Sequence, residues 1–198
     1  MQIPSRQKCL SLIRQMSMLD HIVVHSFQVC RVAIFLADHM GPGSSSLSRN
    51  LVQAAALLHD ITKTRSFTTR ENHALTGAQF LNEMGYPEVG HIIEQHVRLD
   101  SYALSDFPTE AEIVNYADKR VLHDRIVTLN ERMAYILEKY ATGPEYRERL
   151  RWLWKKTEEL ELRLFSYVSF KPEELGRLID NESDVNDYLS LSSLTAGK

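Results

Sequence analysis

The chain has 198 residues, with 23 Lys+Arg against 26 Asp+Glu and a formal net charge of −3. That length fits one domain with an appended element, and 43% hydrophobic with 25% charged residues is the make-up of an ordinary globular protein. The near-neutral balance argues against a general nucleic-acid binder, while Cys9 and Cys30 are too few for a cysteine zinc scaffold or a disulfide-dense module and suit a reducing cytosol.

In chain order the sequence reads as helices. Residues 2–15 form a short amphipathic helix, and the opening MQIPSRQKCLSLIRQM lacks the continuous apolar stretch of a signal peptide. Asp20 can cap a longer helix through HIVVHSFQVCRVAIFLADHM, stopped by Gly41-Pro42-Gly43. No apolar run approaches the ~20 residues of a membrane span, so the expected location is cytoplasmic, with no membrane partner. After the loop GPGSSSLS, Ser48 or Asn50 can cap LVQAAALLHD, which is apolar almost all round and is therefore the central, buried helix. ITKTRSFTTR shows no period and reads as a polar loop. Asn72 starts HALTGAQFLNEM, closed by Gly85; PEVGHIIEQHV is a further helix and YALSDFPTE a loop. Residues 111–141 form a long helix with a break near Asp124, and Gly143-Pro144 precedes a last long helix, EYRERLRWLWKKTEELELRLFSYV. No strand pattern or internal repeat is present. The expectation is an all-α bundle over 1–142, a C-terminal helical extension over 143–180 packing on it, and a flexible tail over 181–198.

All eight histidines (21, 25, 39, 59, 73, 91, 96 and 123) precede residue 124. His25 sits mid-helix among Val24, Val29 and Val32. His59 and Asp60 end the most apolar helix, where an acid is costly unless paired or bound to a cation, and a helix C-terminus itself favours positive charge. Asp118 is the acid on the apolar stretch IVNYADKRV. Two imidazoles and two carboxylates from three helices suit a borderline-hard divalent metal such as Mn, Fe, Co, Ni or Zn, and bundles build metal sites in this way. Read singly, each has a plainer role: His25 as a core histidine, Asp60 as a loop cap, Asp118 as a partner of Lys119 or Arg120.

With these residues the chain resembles the HD-domain superfamily of metal-dependent phosphohydrolases, HDIG-like subgroup. The resemblance is carried by His25-Ser26, the doublet His59-Asp60 after AAALL, HDITK with Thr62 in place of the signature Gly, HALTGAQFLNEMGYPE, His96, and Asp118 in YADK, over residues 20–125. It implies that His25, His59, Asp60 and Asp118 hold one divalent ion (Mn, Fe, Co, Ni, Mg or Zn). It also implies that His73 and His96 are where bimetal members place ligands for a second ion bridged by Asp60. Many such members have a His-His pair where this chain has Gln95-His96, which leaves the second ion open. His21 stands four residues before His25 and falls outside the pattern; His39, His91 and His123 read as surface residues.

Lys63, Arg65 and Arg70 follow the doublet, and Lys119, Arg120 and Arg125 flank Asp118. Cations near a metal suit a phosphate-bearing small molecule, a nucleotide above all, with Lys63 and Arg120 as contacts and Lys63 and Asp60 in the chemistry. The reaction class this assembles is hydrolysis of a phosphomonoester or phosphodiester. The alternatives are a di-iron oxygenase of the same fold, which needs the full second site, and a non-catalytic helical signalling module. In the last helix Leu150, Leu153, Trp154, Leu160, Leu164 and Val168 recur at helical spacing, with Trp152 and Phe165 widening the apolar surface; this face packs back on the bundle or forms a homodimer contact.

Overall fold

Side-chain caps start three of the helices that frame the site. Ser48 accepts from the Leu51 N–H, Asn72 from those of Ala74 and Leu75, and Thr109 with Glu112 forms a reciprocal capping box. The computed structural model describes residues 2–41, 47–102, 107–140 and 143–182. Its elements are α1 (Arg6–Gln15), α2 (Asp20–His39), α3 (Arg49–Leu58), α4 (Lys63–Thr69), α5 (His73–Glu83), α6 (Pro87–Glu94), α7 (Glu110–Lys119), a hairpin of β1 (Val121–Leu122) and β2 (Arg125–Ile126), α8 (Leu129–Tyr140), α9 (Pro144–Phe165), a 3-10 turn (Pro172–Glu174) and α10 (Leu175–Glu182). The fold is an all-α bundle.

The expectation of a buried central helix holds. In α3, Leu51, Val52 and the run Ala54–Leu58 are all buried, and the helix packs on α2, α6, α7 and α1. Against the expectation that no apolar run approaches a membrane span, α2 is long and apolar enough to cross one by length and composition. Here it is a core helix, burying Ile22, Phe27, Val29, Val32, Ala33 and Leu36 against α3 and α7.

Several elements differ from the sequence reading, each for a physical reason. α1 begins at Arg6, where Ser5 caps it, rather than at residue 2. Asp20 is the first helical residue of α2, and the cap position is Leu19. The stretch read as a polar loop contains α4, which buries no side chain and so leaves no apolar period to detect; it ends where Arg70 turns left-handed at φ 61°. The break near Asp124 is a hairpin pairing Val121 with Ile126 and Leu122 with Arg125, turned through His123 at φ 58°. α10 runs through 181–182, the start of the expected tail; the remainder of that tail, residues 42–46 of the GPGSSSLS loop, part of YALSDFPTE (103–106) and residues 141–142 lie outside the described residues.

α9 contacts α7 and α8 through the buried Trp154, Thr157, Leu160 and Leu164. Arg163 pairs with Glu112 of α7. Leu150 and Leu153, expected on the same inner face, are only half-buried, and Trp152 is exposed.

Candidate metal centre

Side chains from α2, α5 and α7 and from the segments that follow α3 and α6 converge around Asp60. His25 comes from the middle of α2, His59 and Asp60 from the end of α3, and Asp118 from the last turn of α7. His25 Nε2 lies 3.1 Å from Asp118 Oδ1, and His59 Nε2 lies 3.7 Å from the same oxygen and 3.6 Å from Asp60 Oδ2. His73, the first residue of α5, and His96, just beyond α6, reach the other oxygen of Asp60. Their Nε2 atoms are 3.1 and 3.6 Å from Oδ1 and 3.1 Å from each other. Lys63 Nζ stands 3.2 Å from His73 Nε2 and 3.8 Å from Asp60 Oδ1. The ligand-type atoms fall into two groups, His25–His59–Asp60 and Asp60–His73–His96, each within 4.8 Å.

Backbone carbonyls orient the imidazoles. His25 Nδ1 donates to His123 C=O at 3.0 Å, His59 Nδ1 to Ala56 C=O at 2.8 Å, and His96 Nδ1 to Ile93 C=O at 2.6 Å. A carbonyl only accepts, so Nδ1 carries the hydrogen and Nε2 is the atom each ring turns toward the centre, the arrangement second contacts impose on metal-binding histidines. His59 Nε2 and Asp60 Oδ1 are buried and make no hydrogen bond. Such atoms are costly without a partner, and one that accepts electron pairs from both is a cation. The residues present fit a divalent metal on this ground.

The electrostatics agree. Burial pushes the His59 imidazole down to about 4 and lowers that of His73, so both are neutral at neutral pH. Burial alone would raise Asp60 and Asp118; the imidazoles around them, with Lys63 beside Asp60 and Lys119 beside Asp118, hold both carboxyls well below the usual range. His25 moves the other way. Burial opposes its charge, but the Asp118 carboxylate raises its pKa, so without metal a proton is shared where an ion would be held.

Some positions the sequence singled out do not reach this cluster. Arg120, expected to contact substrate, is buried elsewhere: Nε donates to Val127 C=O, Nη1 to Tyr116 Oη and Glu161, and Nη2 to Pro172 C=O. Its neighbours in sequence face the metal centre, but a one-residue step on a helix turns a side chain by about 100°. Arg65 pairs with Glu71 on the surface, and His21 and His91 are exposed. Gln95 is buried but turned away, its amide Nε2 against His91 and its Oε1 accepting from the Asp100 N–H. Val97, one residue past His96, is exposed.

Other residues support the site without having been singled out for it. Asn115 Nδ2 donates to the carbonyls of Gln95 (2.7 Å) and His96 (3.0 Å), and buried Lys119 Nζ donates to His96 C=O at 2.6 Å while lying 3.4 Å from Asp118 Oδ2. Thr62 Oγ1 donates to His73 C=O at 2.8 Å. A signal existed for the first two: Asn115, Asp118 and Lys119 recur at i, i+3, i+4, a polar stripe on a helix whose other faces are apolar.

Residues 22–121 match the HD domain family model. The chain belongs to the HD-domain family. This HD-domain protein also resembles two curated proteins called tRNA (cytidine(56)-2'-O)-methyltransferase. It is 31% identical to that of Picrophilus torridus over 144 residues (66% of this chain, 40% of the relative), and 33% identical to that of Thermoplasma volcanium over 96 residues (48% and 26%). The HD-domain chain thus spans well under half of either relative. A solved structure described as an HD superfamily hydrolase, from an uncultured Thermotogales bacterium, overlays with a TM-score of 0.47 at 22% identity, covering 83% of this chain and 94% of that one. So loose an overlay bears on nothing chemical.

Proposed function

We propose that the protein is a metal-dependent phosphohydrolase that cleaves a phosphomonoester or phosphodiester bond, with His25, His59, Asp60 and Asp118 holding a divalent ion (Mn, Fe, Co, Ni, Mg or Zn). The observation that supports this best is Asp60, ionised, buried and shared between two imidazole groups with Lys63 at its edge. A bound divalent ion supplies a more acidic water and polarises a phosphoryl oxygen. With an ion held there, Asp60 would orient a water and accept its proton, which a carboxylate held ionised can do. Lys63, a third exposed at the mouth of the cluster, neutralises charge that builds on the phosphoryl oxygens. His73 and His96 either hold a second ion or donate to the phosphate.

The proposed substrate is a nucleotide or a nucleotide-like phosphate ester. The two curated relatives carry tRNA in their names on chains that are mostly outside the match, so a phosphate on RNA belongs in the same class. The test is a screen of phosphate esters, nucleotides and short phosphorylated RNAs with chelated protein reloaded one metal at a time. Wild type should release product only when loaded, and Asp60→Ala should lose more than the ~10²–10⁴-fold typical of an acid–base group alone, since a ligand goes with it. Equal turnover by chelated protein or by Asp60→Ala refutes the proposal. The presence of His73 and His96 on the second oxygen of Asp60 supports one further reading, a di-iron oxygenase; iron-loaded protein that consumes dioxygen with an organic substrate and releases no phosphate would favour it.

A further inference from the structure

Between the residues that follow α6 and the first half of α9 runs a groove of about 360 Å³ that hydrolysis leaves unused. Val97 and Leu153 line it with Tyr146 and Trp152, and Arg98 and Arg149 supply its charge; among the described residues no carboxylate lines it. Val97, Tyr146 and Trp152 are 43, 44 and 46% exposed, large apolar groups left to water side by side. Tyr102 holds the Trp152 ring edge-on at 5.5 Å, and the Arg98 guanidinium lies 5.7 Å from its centroid. Around the groove the near-neutral whole-chain charge does not apply. Pro144–Lys156 carries five basic residues against two acidic ones, and Arg147, Arg151 and Lys155 are exposed at a spacing of four, a row along one side of the helix.

We propose that this groove takes an unpaired nucleotide of a single-stranded RNA, its base stacked on Trp152 and the adjoining phosphates following the basic row of α9. An aromatic ring set beside guanidinium groups is the arrangement that binds bases irrespective of sequence. A strand fits better than a free nucleotide, because pockets for small ligands enclose most of the ligand and this groove is open along its length. The groove begins one residue past His96 in the chain. The inference rests on the proposed function only in taking RNA as the strand, and binding measured with the metal chelated separates its failure from failure of the hydrolase reading.

The experiment is fluorescence anisotropy of labelled oligouridine of about ten nucleotides, within the usual site sizes, titrated with chelated full-length protein at several salt concentrations. Trp152→Ala should weaken binding about 5- to 100-fold and Trp152→Phe should largely restore it. Arg147→Gln with Arg151→Gln should lower the slope of log affinity against log salt by about 1.4, the loss of two single-strand phosphate contacts. The arginine pair keeps the test informative should Trp152→Ala misfold by circular dichroism. The proposal is overturned by absence of strand binding, by affinity unchanged in both sets of variants, or by a duplex or a mononucleotide binding as well as the strand. Loss of a wild-type dimer on Trp152 substitution, with strand affinity unchanged, would likewise overturn it and make the groove a protein contact.

Discussion

Asp60 presents Oδ2 to His59 and Oδ1 to His73 and His96, so one side chain joins the two groups of the cluster. Lys63 Nζ lies 3.8 Å from Oδ1 and is a third exposed, and its contribution is separable from metal binding. Replacing Lys63 by Met should lower kcat about 10²- to 10³-fold, as loss of one donor to a developing oxyanion does, with metal content unchanged by elemental analysis. Metal lost together with rate would make Lys63 a structural partner of Asp60 instead. His59 fixes a pH dependence for the metal-free protein. Its pKa falls from 6.5 unfolded to about 4 folded, so its contribution is present above pH 6.5 and disappears as pH falls from there through 4. At 1.36 kcal/mol per unit this is on the order of 3 kcal/mol, reduced by His25, whose raised pKa acts in the opposite sense. Urea unfolding with chelator at pH 7 and pH 4.5 measures it; equal midpoints would show that His59 is not held neutral.

α5 and α6 carry His73 and His96, so their separation sets the distance between the two rings. Gly90 of α6 lies where an added Cβ would come within 2.9 Å of the Ala78 carbonyl of α5 and meet the Asn82 amide as well. Gly90→Ala should therefore cost about 1–3 kcal/mol, the usual range for overpacking, and should weaken metal held by His73 and His96 more than metal held by His25, His59 and Asp118. Thermal unfolding and calorimetric metal titration of the variant check both; unchanged stability would mean that the helices separate freely. α7 acts on the same region from the other side, Asn115 and Lys119 holding the turn after α6 by its carbonyls.

Over the whole molecule, one side chain joins the metal-binding helices to the C-terminal part. Arg120 links Tyr116 of α7, the strand exit at Val127, Glu161 of α9 and Pro172 of the 3-10 turn, and it is 2% exposed. Arg120→Met removes a charge from a buried network and should cost about 3 kcal/mol, with kcat per folded molecule unchanged because the guanidinium never meets the metal centre. A fall in kcat with normal thermal stability would return Arg120 to the substrate site. The apolar core is continuous through this junction, since Trp154, Leu160, Leu164, Leu175 and Ile179 belong to the same cluster as α2 and α3.

What the sequence by itself determined is whatever depends on neighbours within a few turns. An acid ending a helix apolar all round marks Asp60, Asn72 caps the helix it precedes, as does Ser48, one of two caps the sequence offered, and the order of His25, His59-Asp60, His73, His96 and Asp118 names the residues that meet in the cluster, on helices the apolar spacing already outlines. The tertiary structure alone decided the rest, because those features are contacts between distant positions or between a side chain and a carbonyl, and a carbonyl has no residue type. His25 is aimed by the backbone of His123, ninety-eight positions away, across a hairpin too short for any strand pattern to register. Gln95 and Arg120, each one step from a site residue, are turned aside, Arg120 by the 100° that a helix adds per residue and Gln95 where α6 ends, and packing, which no short stretch of sequence contains, chose what they meet instead.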